Sequence, residues 1–208
     1  MQEEYRTVVR EGVHETEVGR SRFVCTLAPA QDEEAARGLV ARVRAARPDA
    51  HHHCFAYVIG ADAAVQRAGD DGEPGGTAGA PMLQMLLRRD MRYTAAVVSR
   101  YFGGVKLGAG GLIRAYGGAV GEALDTLGTR VRRRYRLVTV TVGHTRAGRL
   151  HSDLRAAGRT VRDVRYARDV TLEIALPDAE LPAFTAWLAD ATAGEAVCEP
   201  GGETYGDA

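Results

Sequence analysis

The sequence predicts an α+β protein of two domains, with the boundary near residues 128–134. Its 208 residues are enough for two small domains that each bury a core. From Tyr135 onward the composition changes, and the segments that follow are predicted in the order β-α-β-β-α-β, which is typical of a ferredoxin-like domain. We therefore assign residues 1–129 to an N-terminal domain and residues 130–208 to a ferredoxin-like C-terminal domain.

Alternation of apolar and polar residues predicts the strands of the first domain, and apolar residues at helical spacing predict its helices. Asp32 is a suitable N-cap for the first helix, and Gly128 is a suitable cap at the end of the last one. The predicted order is a strand at 18–28, a helix at 31–47, a strand at 53–60, a glycine- and proline-rich loop at 66–81, a short helix at 82–89, a strand at 93–102, a second glycine loop at 103–111 and a helix at 112–128.

The same patterns predict the second domain. The predicted order is a strand at 136–143, a helix at 146–158, two strands within 160–177, a helix at 179–194 and a short strand at 195–200. The last residues, 201–208, are expected to be frayed, as chain ends often are.

The composition favours a folded cytoplasmic protein. Apolar residues make up 45% and charged residues 26%, which excludes wholesale disorder. The chain has no uncharged apolar run of about 18 residues that would span a membrane. Its beginning, MQEEYRTVVREG, is acidic and polar, unlike a secretory signal. Cys25, Cys54 and Cys198 form no CxxC pair, so we predict buried thiols in place of a disulfide framework or a zinc site.

Charge is segregated along the second half of the chain. Residues 130–168 carry twelve arginines against Asp153 and Asp163, a balance of +10, whereas residues 169–208 carry nine carboxylates and no basic side chain. Such segregation predicts either a polar field that steers acidic partners, or neighbouring strands whose opposite charges interleave. The sequence leaves both alternatives open.

Three carboxylates lie within four residues of the first loop: Asp70, Asp71 and Glu73. Carboxylates suit a hard cation such as Mg²⁺, but their spacing does not match an EF-hand. The alternative is that they cap backbone amides or pair with arginines such as Arg100 and Arg114. We predict no metal site and give this loop, with Thr77, a structural or partner-docking role.

A run of three histidines and a cysteine, residues 51–54, comes just before the second strand. His51 and His53 would share one face of a strand, as zinc ligands do, but the other histidines are scattered along the chain. A thiol nucleophile at Cys54 lacks an identifiable orienting group. We expect a histidine at the entry to the strand to be bonded to the acidic loop.

The second glycine loop joins a strand to a helix, which is the general layout of an anion-binding loop. It contains Lys106, the only lysine among 27 basic residues. The P-loop and dinucleotide fingerprints are both absent, so we predict no cofactor. Arg100 and Arg114 flank the loop, and the aromatic Tyr101, Phe102 and Tyr116 lie nearby. Basic groups interleaved with aromatic ones suit RNA binding; alternatively, the glycines serve only tight turns.

Four segments together resemble the YigZ/IMPACT family: SRFVCTLAP at 21–29, HHHCFAYVIG at 51–60, DDGEPGGTAGAPML at 70–83 and SRYFGGVKLGAGGLIRAY at 99–116. The resemblance covers about residues 17–127. It implies an N-terminal α/β sandwich similar to the second domain of a ribosomal small-subunit protein, and a C-terminal domain similar to one of the translocation factors. It also implies contact with RNA, the ribosome or a translation factor, which is an analogy from fold.

We therefore expect a non-enzymatic RNA- or ribosome-associated protein linked to the regulation of translation, with no catalytic residues. The expected RNA-binding residues are Arg22, Arg100, Tyr101, Lys106, Gly108, Gly110, Gly111 and Arg114, with 130–136 extending the basic surface. The expected partner surface on the acidic loop consists of Asp70, Asp71, Glu73, Thr77 and His53. The alternatives are a small metal-dependent hydrolase or phosphoryl-handling enzyme that uses the acidic loop, and a protein-docking module.

Overall fold

The computed structural model describes residues 3–207, and its contacts divide the chain into two compact units. The first ends at Arg132 and the second begins at Arg133. This division lies inside the stretch 128–134 where the composition predicts a boundary. The mixed α+β architecture and its two domains are as predicted.

The first unit contains a five-stranded antiparallel sheet in the order β2-β3-β6-β4-β5. The elements of this unit are β1 (Glu4–Val8), β2 (Gly12–Val18), β3 (Ser21–Pro29), α1 (Glu33–Ala46), β4 (His52–Ile59), β5 (Val65–Gly69), α2 (Gly79–Arg88), β6 (Thr94–Tyr101) and α3 (Gly108–Leu127). A short contact holds β1 beside the end of α2, because Arg6 forms a bridge with Met91.

Both faces of this sheet are covered, which explains why β3, β4 and β6 are buried almost throughout. One face packs on α2 and α3 through side chains such as Phe23, Leu27 and Val98. The other packs on α1 through Leu39 and Val43. Because successive strand residues point to opposite faces, the sequence position of each polar side chain decides which helices it meets.

The predicted caps of the first unit are confirmed. The Asp32 carboxylate accepts a hydrogen bond from the Ala35 amide at 2.8 Å, and Gly128 ends α3 with a positive φ of 80°. The last helix begins at Gly108, four residues earlier than the predicted 112. Gly121 lets α3 pack closely on α2, because a Cβ at this position would lie 3.3 Å from Met85.

Three strands of the first unit were missed or wrongly assigned. The strands β1 and β2 were not predicted, and β5 occupies part of the segment that was predicted as a loop. The half-buried positions of β2 are Gly12, His14, Thr16 and Val18, so its inward face carries little apolar signal. The strand β5 lies at the sheet edge and has no buried residue.

The second unit has the predicted β-α-β-β-α-β order. Its elements are β7 (Thr129–Val142), which begins in the first unit, α4 (His144–Ala156), β8 (Val161–Tyr166), β9 (Val170–Leu176), α5 (Leu181–Thr192) and β10 (Val197–Asp207). The sheet order β10-β7-β9-β8 places the first strand of this unit between its last and its third, as a ferredoxin-like fold requires. The core lies between the sheet and α4 and α5, around Phe184, Leu172 and Ile174.

The prediction that residues 201–208 are frayed is wrong for the described part of that segment. The strand β10 continues to Asp207 and pairs with β7. A Cβ on Gly201 would lie 3.3 Å from the Leu137 carbonyl oxygen, so glycine permits this close approach. The Glu203 carboxylate accepts hydrogen bonds from Arg134 at 3.2 Å and Arg136 at 3.4 Å.

Opposite charges interleave in the second unit, as in the alternative in which neighbouring strands bring the arginines and carboxylates together. Besides the Glu203 pairs, Arg136 binds Asp178 at 2.9 Å, Arg146 binds Glu195 at 2.6 Å and Arg159 binds Glu180 at 2.9 Å. The acidic end of the chain thus neutralises much of the arginine-rich segment. The expected extension of a basic surface over 130–136 therefore fails at Arg134 and Arg136. In residues 3–207 no helix is both long and apolar enough to cross a membrane.

We predict that those backbone amides of β10 that are paired with β7 exchange slowly with solvent up to the end of the strand. Hydrogen-exchange mass spectrometry on a peptide covering residues 201–207 checks this. A frayed end would exchange completely at the earliest time point, whereas pairing predicts protection comparable to that of the peptide containing β8.

Candidate functional site

A buried ion pair lies where the acidic loop meets β6. The Arg100 side chain comes from the end of β6 and Glu73 from the loop between β5 and α2. The Arg100 Nη1 atom donates to Glu73 Oε1 at 2.6 Å, and the two side chains are only 6% and 4% exposed. Burial of both charges makes their mutual contact obligatory, since either one alone would be an uncompensated charge in the interior.

Further groups complete this buried network. The Tyr116 hydroxyl of α3 donates to the same Glu73 oxygen at 2.8 Å, and the Arg100 Nη2 atom donates to Ser21 Oγ at 3.4 Å. The Arg100 guanidinium carbon lies 5.5 Å from the centres of the Phe23 and Phe102 rings. The network thus connects the acidic loop, β3, β6 and α3.

Strand alternation separates residues that were expected to form one RNA site. Phe23 is paired with Arg100 and Arg22 with Tyr101, so the second pair lies on the opposite face of the sheet from the first. The Arg22 guanidinium covers the Tyr101 ring at 4.1 Å. Arg100 is buried and bound to Glu73, so it is not available to RNA, and Arg22 and Tyr101 lie on the other face of the sheet.

Asp70 fixes the acidic loop onto the start of α2. Its carboxylate accepts hydrogen bonds from the amides of Gly76 at 2.9 Å, Ala78 at 3.1 Å and Gly79 at 2.8 Å. Burial raises the pKa of this carboxyl, but the three amide donors outweigh burial and hold the pKa below its ordinary 3.8. A side chain at Gly79 would collide with the backbone of Gly69 at 2.7 Å, so the loop packs closely on β5.

Asp71 ties the same loop to the strand that begins at His52. It forms an ion pair with Arg44 of α1, and its Oδ2 accepts from the His53 amide at 2.7 Å. The His52 ring is bonded to the Asp71 carbonyl oxygen at 2.9 Å. The expectation that this histidine segment is bonded to the acidic loop is therefore confirmed.

The pKa values of the side chains that could serve as nucleophile or base are shifted so that the neutral form is favoured. The Cys54 thiol donates to the Asp70 carbonyl oxygen at 3.0 Å, and burial raises the pKa of this thiol to about 12. Burial likewise lowers the pKa of His53, whose Nδ1 is bonded to Ser99 Oγ at 2.9 Å. Burial raises the pKa of Tyr116. These groups stay neutral near pH 7, as structural partners do.

The carboxylates of the acidic loop are occupied by protein groups. Asp70 holds amides, Asp71 holds Arg44 and Glu73 holds Arg100. Across the described residues no group of three His, Cys, Asp or Glu side chains is arranged to hold a metal ion. The Thr77 hydroxyl donates to the Pro74 carbonyl oxygen at 2.6 Å and stabilises a turn of the loop. The alternative in which these carboxylates cap amides and pair with arginine is therefore confirmed for Arg100, whereas Arg114, within the described part of the chain, pairs with none of them.

The glycine loop leaves the buried network and becomes exposed. Gly103 is tightly enclosed: a Cβ there would lie 1.8 Å from the Arg20 carbonyl oxygen, so only glycine fits. Its amide donates to Ser21 Oγ at 3.2 Å, and the Phe102 amide donates to His51 Nδ1 at 3.3 Å. Beyond this anchor, Gly104 and Gly108 have positive φ values of 82° and 69° and face open space.

The first turn of α3 is open to solvent. Gly108, Ala109 and Gly110 are exposed, no side chain caps the helix, and its first turn contains no acidic residue. An uncapped helix start presents free amide donors and a partial positive charge. Lys106 and Arg114, two of the expected RNA-binding residues, are exposed beside it.

Two residues of this surface were not in the expected set. Arg20 is exposed in the turn between β2 and β3, and the contact of its carbonyl with Gly103 places that turn against the glycine loop. Phe102 is 44% exposed although it is aromatic. Nothing in the sequence near Arg20 signals this contact, because it depends on pairing across the sheet. In residues 3–207, Arg20, Lys106 and Arg114 form no ion pair.

We predict that Glu73→Ala lowers the free energy of unfolding by about 3–5 kcal/mol, because it leaves the Arg100 charge buried and unpaired. Urea denaturation measures this. Asp125→Ala is the matched control, since it removes an exposed pair with Arg89 and should cost at most about 1 kcal/mol. Equal losses in the two variants would contradict a structural role for the buried pair.

We predict that the stabilising effect of the Asp70 charge disappears in acid. The pKa of Asp70 is lower in the folded chain, so its contribution is present above pH 3.8 and is lost as pH falls through the folded pKa. Asp70→Asn should therefore be less stable than the unaltered chain near pH 7, and the difference should shrink below pH 3.8. Urea denaturation across this pH range tests it; a difference independent of pH would count against the charge.

The chain matches two families of domains. Residues 19–124 match the Impact N-terminal domain, and residues 140–195 match a domain of unknown function, DUF1949. The family member YvyE of Bacillus subtilis is 40% identical over 97% of this chain and 93% of its own length. The family member YigZ of Escherichia coli is 41% identical over 86% of this chain and 88% of its own length.

A solved crystal structure described as that of a hypothetical protein is similar over nearly the whole chain. It is 36% identical, with a TM-score of 0.66, and the match covers 95% of this chain and 97% of the other. Sequence and architecture thus agree along both units. The chain belongs to the IMPACT family.

Proposed function

We propose that this protein binds single-stranded RNA through the exposed face of its glycine loop. This glycine-loop surface consists of Arg20, Phe102, Lys106, residues 108–111 and Arg114. The observation that carries the proposal is the uncapped, glycine-rich start of α3 with unpaired cations beside it. Such a helix start accepts a phosphate, and the cations contact neighbouring phosphates of the same strand.

The sign of the charge supports the same ligand. From Tyr101 to Gly121 the chain contains Lys106 and Arg114 but no acidic residue. Two of the three carboxylates of the acidic loop are neutralised, because Glu73 pairs with Arg100 and Asp71 pairs with Arg44. A polyanion therefore meets a locally positive surface, although the chain as a whole carries no net charge.

The exposed Phe102 ring supports a single strand as the ligand. Its amide is held by His51, so the ring is presented from an anchored backbone. Bases of a single strand stack on aromatic rings, whereas those of a duplex are not available for stacking. We propose that Phe102 stacks one base while the loop and helix amides hold the adjacent phosphates.

The link to translation comes from the family resemblance, and we propose that the RNA belongs to the cytoplasmic translation machinery. Sedimentation of cell extracts on sucrose gradients tests this, with and without nuclease treatment. The proposal expects the protein to cosediment with ribosomal particles until nuclease is added. Sedimentation as a free protein under both conditions would contradict it.

A protein-docking role is the second candidate, and the exposed apolar side chains of the same surface favour it. Phe102, Val105 and Ile113 are 42–45% exposed. Apolar side chains concentrated on one surface are typical of protein interfaces. Recovery of a partner that survives nuclease treatment, and is lost in Ile113→Ser, would favour this candidate over RNA.

We predict that the double variant Lys106→Gln/Arg114→Gln binds single-stranded RNA at least about tenfold more weakly. The slope of log affinity against log salt should also fall by about 1.4, because two phosphate contacts are lost. Fluorescence anisotropy at several salt concentrations measures both. Arg10→Gln is the control: this exposed arginine precedes Gly12, which packs on Leu127 at the other end of α3. An unchanged slope in the double variant would contradict the proposal.

Replacing Phe102 tests stacking separately from charge. We predict that Phe102→Ala weakens RNA binding by about 1–3 kcal/mol while the salt slope stays unchanged, because a stacking contact releases no counterions. The same anisotropy series provides the measurement. An unchanged affinity would remove Phe102 from the site.

A further inference from the structure

The second unit contains a basic cleft that the proposed RNA surface does not use. It has a volume of about 540 Å³ and lies at the end of α4. Its lining residues are His151, Arg155, Gly158, Arg159, Thr160 and Val161. None of the six is acidic, and three carry basic side chains. A comparable cleft in the first unit, of about 560 Å³, differs because Asp90 and Asp125 line it together with arginines.

The local fold explains why the basic groups converge. His151 and Arg155 are four residues apart on α4, so they lie one above the other on the same face of the helix. Gly158 then adopts a positive φ of 71°, and the Arg159 amide donates to the Leu154 carbonyl oxygen at 2.9 Å. This turn reverses the chain and brings Arg159 to the same cleft.

Arg159 is held in place before any ligand arrives. Its Nη1 atom donates to Glu180 at 2.9 Å, and its guanidinium carbon lies 5.1 Å from the centre of the Phe184 ring. Phe184 is fully buried, so it offers a rigid support. One arginine is thus preorganised, which lowers the entropic cost of binding. Arg155 is exposed and forms no ion pair in residues 3–207, so its donors remain available.

The donor set matches a phosphoryl group. Arginine presents paired N–H donors that bind phosphate oxygens in a bidentate manner. The Thr160 hydroxyl and the His151 ring line the same cleft and add further hydrogen-bond donors. Basic side chains at a helix C-terminus also interact favourably with the helix dipole, but that effect alone requires neither a cleft nor a fixed Arg159.

We propose that this cleft binds a small phosphorylated molecule of nucleotide size, with the phosphoryl group between Arg155 and Arg159. The volume exceeds what one phosphate ion fills and lies within the usual range for small-molecule sites. This site shares no residue with the RNA surface, since all its residues lie in the second unit.

Nuclear magnetic resonance titration of the full chain tests the proposal, with inorganic phosphate and ADP as the two probes. We expect saturable shifts of the Gly158 and Thr160 amides with one or both probes. Tighter binding of ADP would identify a nucleotide as the source of the phosphoryl group, and equal binding would identify the phosphoryl group alone. Shifts that do not saturate by about 10 mM of either probe would overturn the proposal.

Matched charge removals locate the site. Arg155→Gln should weaken binding of the probe about tenfold, because one charged phosphate contact is lost. Arg149→Gln is the control: it lies on the same helix, is 86% exposed and does not line the cleft, so affinity should change less than about twofold. Equal losses in both variants would overturn the assignment. Shifts of the Gly158 and Thr160 amides with single-stranded RNA, in a chain that binds neither phosphate nor ADP, would also overturn it.

Discussion

The ion pair between Glu73 and Arg100 is the contact on which the first unit depends. It lies where the acidic loop, β3, β6 and α3 meet, and Tyr116 and Ser21 bind the same two side chains. Two charges buried this deeply stabilise a fold only when both are present and correctly placed. Their role is therefore to fix the acidic loop against the sheet and to hold the end of β6, from which the glycine loop begins.

The glycine loop divides into an anchored part and an open part as a consequence. Phe102 and Gly103 are bonded to His51 and Ser21, so the loop starts from a defined position. The residues after Gly103 have no such contacts, and they end in a helix start whose amides are free of side-chain caps. An anchored start followed by an uncapped helix start with basic side chains beside it is a suitable arrangement for holding an anion.

The sequence predicted the two domains, both helix caps of the first unit and the ferredoxin-like order of the second, because these depend on local apolar spacing and composition. Arg100 and Tyr101 are adjacent in the strand predicted at 93–102, so alternation alone places them on opposite faces of the sheet, and their separation could have been predicted from the sequence. Arg20 could not be found in this way, because its contact with Gly103 depends on how distant strands meet. Lys106 and Arg114 remained in the proposed site because both lie in the exposed loop and helix start.

We infer that the buried pair of Glu73 and Arg100 positions the glycine loop, and we propose that the exposed part of this loop binds the RNA. Nuclear magnetic resonance titration with single-stranded RNA tests it most directly, by following the Arg100 Nε–H signal together with the amides of Gly104, Gly108 and Gly110. The account predicts saturable shifts of the three glycine amides while the Arg100 signal stays unchanged. A shift of the Arg100 signal as large as those of the glycines would contradict it, because Arg100 would then contact the RNA itself.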